Sequence, residues 1–184
     1  MRVERIRQKF DVNVKWVHFP LHPDTPSEGR TLEELFAGRG MDVATMQAQM
    51  RERMQAEGLA YGNRTHTYNS RLAQELGAWA DTQPGGEAIH DALYRAYFVD
   101  ARNIGDVEEL VAIAGSVGLD TDAARQVLES RSHSPSVDAD WQKSRELGVT
   151  GVPTFVAGGY GVVGAQPYEM LERRVSDAGA RERE

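Results

Sequence analysis

Apolar positions along the chain change their period several times, and the changes divide it. Val3, Ile6 and Phe10 recur at helical spacing, so residues 1–10 read as a helix. Val12, Val14 and Trp16 then alternate with Asn13 and Lys15 before Val17 and Phe19, which predicts a strand over 12–18 with at least one buried face. Pro20, Pro23 and Pro26 close it in a loop. From Thr31 to about Asp138 the period is helical throughout, with segments near 32–37, 43–57, 70–82, 87–99, 107–117 and 122–130 and no strand between them. Asn69 reads as an N-cap, Gly85-Gly86 and Gly105-Asp106 interrupt the pattern, and Gly118 is a C-terminal stop. A further helix over 137–147 leads to two short strands, 154–156 and 161–163, around Gly158-Gly159, and a last helix starts from Pro167. Strands at both ends of a chain share one sheet only if the middle is looped out. The pattern therefore predicts an α/β core, residues 1–30 with 138–178, carrying an all-helical insertion at 31–137 and a frayed tail at 179–184.

Composition narrows the function. At 184 residues and 40% apolar content the chain can bury a core without staples. Its net charge of -7 and lack of a basic stripe argue against nucleic acid. No apolar run approaches the roughly 20 residues that span a bilayer, and the charged start predicts a cytoplasmic protein with no membrane partner. There is no cysteine, hence no disulfide, no cysteine-bound zinc and no thiolate nucleophile.

Few motifs survive inspection. Gly159, Gly161 and Gly164 match G-x-G-x-x-G, but a strand runs through them and no long helix follows, so they read as a glycine-rich hairpin. His18, His22, His66, His90 and His133 lack metal-ligand spacing, and no metal is expected. No serine stands in a G-x-S-x-G elbow, and the letters Asn63-Arg64-Thr65 are a sequon only on paper. Met41, Met46, Met50 and Met54 line a helix at near-helical spacing, a packing face or an adaptable binding surface. Pro153 must open a strand or lie on its edge, because it has no N–H to give a ladder.

Three stretches together resemble the DsbA-like family, in the branch of polyketide-biosynthesis dithiol-disulfide isomerases and 2-hydroxychromene-2-carboxylate isomerases: WVHFPLHPDTPSEG at 16–29, the segment 69–120 with its ALYRAYF core, and LGVTGVPTFVAGGYGVVGAQP at 147–167. The resemblance implies a thioredoxin-like fold of the DsbA type with a large helical insertion. It implies a thiol-disulfide oxidoreductase or isomerase, with a glutathione-dependent isomerase relative and a non-catalytic peptide-binding module as alternatives. Pro153 would be the family's cis-proline. Val152 would present its backbone to an extended substrate or to glutathione as co-substrate. Gly151, Phe19, His22 and Gln166 would lie nearby by position in their loops. The family's first strand and its C-x-x-C, or serine equivalent, would fall upstream of Met1, so no catalytic residue is present and the first central strand is missing. The resemblance thus implies either a longer parent, by roughly 15 to 30 residues, or a strand supplied by another copy in a homodimer.

Overall fold

The computed structural model describes residues 2–183; Met1, at the head of the first predicted helix, lies outside them. The chain forms two compact units, Met1–Leu21 with Asp140–Glu184 and His22–Ala139.

In the first unit, helices α1 (Arg2–Lys9) and α9 (Tyr168–Asp177) pack with the hairpin of β3 (Thr154–Ala157) and β4 (Tyr160–Val163). Ile6, Phe10 and Leu171 are buried, with Phe155, Val162 and Tyr168 against them. Gly158 and Gly159 have φ of 59° and 80°. That is the type I′ turn whose twist matches antiparallel strands, and residues with a Cβ resist it.

Two expectations for this unit need correction. No strand forms over 12–18. The main chain of this segment finds no ladder partner among the described residues, and alternation reports a preference for burial rather than a neighbour to pair with. Just before this segment, Phe10 forms an isolated bridge, antiparallel to Glu182. The same bridge overturns the frayed tail over residues 179–183, Glu184 lying outside the described residues. Asp11 N donates to Arg181 O at 2.8 Å, Arg183 N donates to Lys9 O at 2.8 Å, and Lys9 pairs with Glu182 at 3.2 Å.

The second unit is helical: α2 (Leu32–Phe36), α3 (Val43–Ala56), α4 (Arg71–Ala80), α5 (Ala88–Phe98), α6 (Val107–Ser116) and α7 (Thr121–Ser130). Their starts are written in the sequence. Thr31 and Glu34 close a capping box on α2, and Asp42, Asp106 and Asp120 accept N–H bonds at the heads of α3, α6 and α7. Asn69 acts one residue before the N-cap of α4, its Oδ1 accepting from Arg71 N at 2.9 Å. One core joins α4 through α7, with Leu76, Ile89, Leu110, Ile113 and Leu128 at 1% exposure or less. Burial of each stabilises by about 1.5–3 kcal/mol. The block is not free of strands, however. β1 (Arg30–Thr31) pairs antiparallel with β2 (His66–Thr67), a pairing two residues long and too short to carry a period. Gly29, at φ 89°, precedes it where a Cβ would lie 2.5 Å from the Tyr68 ring. The remaining helix, α8 (Ser134–Glu146), contains the boundary between the units.

Candidate functional site

Hydrogen bonds around Pro153 build one corner. The Val152–Pro153 peptide bond is cis. Pro153 O accepts from Gly164 N at 2.7 Å, Gly164 O accepts from Gln166 N at 2.8 Å, and Thr154 Oγ1 donates to Gly151 O at 2.7 Å. Gly151, Val152, Pro153 and Gln166 are thus held together at the mouth of the β3–β4 hairpin. The Gln166 side-chain amide donates to Val163 O at 2.5 Å, while the Gln166 main-chain carbonyl accepts from Arg2 at 2.7 Å. Val152 is 49% exposed.

Strand register fixes what this corner offers. The partners Phe155↔Val162 and Ala157↔Tyr160, with the Pro153–Gly164 bond, make these the hydrogen-bonded pairs of an antiparallel ladder. The N–H and C=O groups of Thr154 and Val156 therefore point to the opposite edge. That edge of β3 has no strand partner among the described residues.

Phe19 lies in the same unit, its carbonyl accepting from Leu21 N at 3.0 Å. His18 beside it is anchored by a residue that sequence reasoning passed over. Asp140 Oδ2 accepts from His18 N at 3.1 Å and lies 2.8 Å from His18 Nδ1, while Ser144 donates to His18 O at 3.2 Å. The partners stand 122 residues apart in the chain, so neither spacing nor motif could have joined them.

His22 belongs to the second unit. Its loop is tied down there. Asn69 Nδ2 donates to Pro23 O at 3.2 Å and Thr25 O at 2.7 Å, and Asn103 Nδ2 donates to Ser27 O at 3.1 Å. Burial lowers the His22 pKa below the ordinary value, and the charges of Arg39, Arg30 and Arg64 lower it further, so its imidazole is neutral near pH 7. No group of three or more metal-binding side chains occurs among the described residues.

A hairpin with a proline at its mouth, helices packed on it and a helical unit looped out of the chain together fit one known family: the model of the DSBA-like thioredoxin domain matches residues 1–176. The chain belongs to this family. A structure described as a probable DsbA oxidoreductase from Streptomyces coelicolor is 34% identical, with a TM-score of 0.87 over 97% of this chain and 82% of that one. The Bacillus subtilis protein YwbO is 30% identical over 95% of this chain and 86% of its own length. A 2-hydroxychromene-2-carboxylate isomerase, 18% identical with a TM-score of 0.71, shares the fold over 97% of this chain and 85% of its own. The DsbA-like fold is here joined to a sequence without cysteine. No helix among the described residues is long and apolar enough to cross a membrane.

Proposed function

We propose that this DsbA-like chain holds an extended disulfide- or thiol-bearing segment against β3, with the Val152 backbone at the head of the contact, and supplies the substrate-holding part of thiol-disulfide exchange. The observation that carries this reading is the edge of β3. Thr154 and Val156 present main-chain donors and acceptors that have no strand partner among the described residues, beside an exposed Val152, the geometry on which a further strand can be added. The family and the Streptomyces relative described as a DsbA oxidoreductase support the substrate class. The attacking sulfur cannot come from these 184 residues, because exchange proceeds through a thiolate and the sequence holds no cysteine. Glutathione, a short extended thiol, is the candidate co-substrate.

The test is binding of a fluorescent extended peptide that carries an S-methylated cysteine, followed by anisotropy, with backbone N-methyl groups placed on one alternate set of its amides or on the other. Strand addition uses every second amide of the added segment. One set is expected to weaken binding at least tenfold while the other leaves it intact. Equal binding of the two methylated peptides, or no saturable binding of the parent, would sink the proposal.

A further inference from the structure

Without cysteine, all the sulfur of this protein is thioether, and four of its six methionines, Met41, Met46, Met50 and Met54, fall on α3 or just before it. This helix differs from its neighbours. None of its residues is buried, and among the described elements only α2 brings its main chain close to it. Both flanks turn on glycines in the left-handed region, Gly38 at 74° and Gly40 at 63° before it and Gly58 at 69° after it. Each has open space where a side chain would be. An open cleft of about 560 Å³ lies at the first flank, lined by Phe36, Met41 and Val43. A helix with glycine at both ends and no buried anchor belongs to the low-stability end of a fold.

Few contacts hold it in place. Val43, Met46, Met50 and Met54 follow one another at spacings of three and four, so they form one stripe. At its end the Tyr94 hydroxyl donates to Met54 Sδ at 4.0 Å, and the Tyr94 ring lies 4.5 Å from that of Phe98. Arg51 adds a hydrogen bond to Asn63.

We propose that this stripe is an oxidant-sensitive latch, in which oxidation of Met54, with Met50 and Met46, to the sulfoxide releases α3 from Tyr94. The oxidant is a peroxide. The thioether sulfur attacks one peroxide oxygen, the O–O bond breaks, an S–O bond forms, and the other oxygen leaves as water; sulfur loses two electrons and the peroxide gains them. The product is polar where the thioether was apolar, and such a change disrupts methionine-rich contacts. The sulfoxide oxygen still accepts hydrogen bonds, but water offers it the same bonds. Because no residue of α3 is buried, nothing elsewhere on the helix compensates for the loss.

Hydrogen exchange on the intact chain, read by mass spectrometry before and after hydrogen peroxide and again after methionine sulfoxide reductase, tests this. Amides of Val43–Ala56 are expected to exchange at least tenfold faster in the oxidised protein and to regain their protection on reduction, while those of Arg71–Ala80 stay unchanged. Met170, on α9 and 45% exposed, controls for exposure alone, since Met41 and Met50 are 46% and 39% exposed. Met54→Leu keeps an apolar contact without oxidisable sulfur and is expected to stay closed through the treatment. Met54→Gln is expected to open without oxidant. Unchanged exchange of α3 in fully oxidised wild type overturns the proposal, as does a Met54→Leu protein that responds as strongly as wild type or a Met54→Gln protein as closed as wild type. The wild-type comparison needs no variant, so it decides even if a variant fails to fold.

Discussion

Glu75 has no exposed surface, yet it is a carboxylate in the middle of the helical core. Burial pushes its pKa up, but hydrogen bonds from Arg131 and Arg71 outweigh this and hold it below the ordinary value. Arg131 donates in a fork, Nε and Nη2 each at 2.7 Å, and Arg71 Nε donates at 2.6 Å. Arg71 also reaches Ser134 and Asp138, so the cluster ties α4 to the end of α7 and to the first turn of α8. Glu75→Gln leaves two guanidinium groups without their shared anion and is expected to cost about 3–5 kcal/mol, read as a lower urea midpoint. The pH dependence has a definite sign. With the folded pKa below the unfolded one, the stabilisation is complete above the ordinary carboxylate value, about 4.3, and is lost as pH falls through the lower folded value. Urea midpoints of wild type between pH 7 and pH 3 should therefore fall more steeply than those of Glu75→Gln. Sequence alone places Arg71 and Glu75 four apart on one helix, which reads as an ordinary surface pair. What makes the pair a buried lock is Arg131, 56 residues further on, and no local pattern points to it.

Helices are legible because their signals are local. Asp120 accepts from Asp122 N and Ala123 N, both at 2.9 Å, at the head of a helix whose Ala124 and Leu128 are buried. Asp120→Ala should therefore lower stability by about 1 kcal/mol, measurable as a shift of the thermal midpoint. The predicted helices and the hairpin were found within a few residues of their expected ends, since caps, glycine stops and the 3.6-residue period are all properties of the segment itself. Strands are different. Val12, Asn13, Val14, Lys15 and Trp16 alternate as a strand would, but a ladder needs a partner and none pairs here among the described residues. Trp16, predicted to face inward, is 55% exposed. The opposite failure occurs at β1 and β2, whose pairing rests on two residues each and leaves no period to read.

The two units differ sharply in how much they bury. Among the described residues the core cluster of the helical unit has thirteen buried members and that of the first unit three, Ile6, Phe10 and Leu171. Opening free energy follows local burial. Native-state hydrogen exchange should accordingly show lower opening free energies for the amides of β3 and β4 than for those of α4 and α6, and equal protection would mean that side-chain burial does not set stability here. The sequence by itself determined the helical content, the hairpin turn, the family and the impossibility of a thiolate, because these depend on residue type, short-range period and composition. Only the tertiary structure decided which edge of β3 stays open, that Asp140 anchors His18, that the tail bridges back to Phe10, and that Glu75 is buried between two arginines. Each of these is a relation between residues distant in sequence, and it comes into being only when the backbone brings them within hydrogen-bonding range.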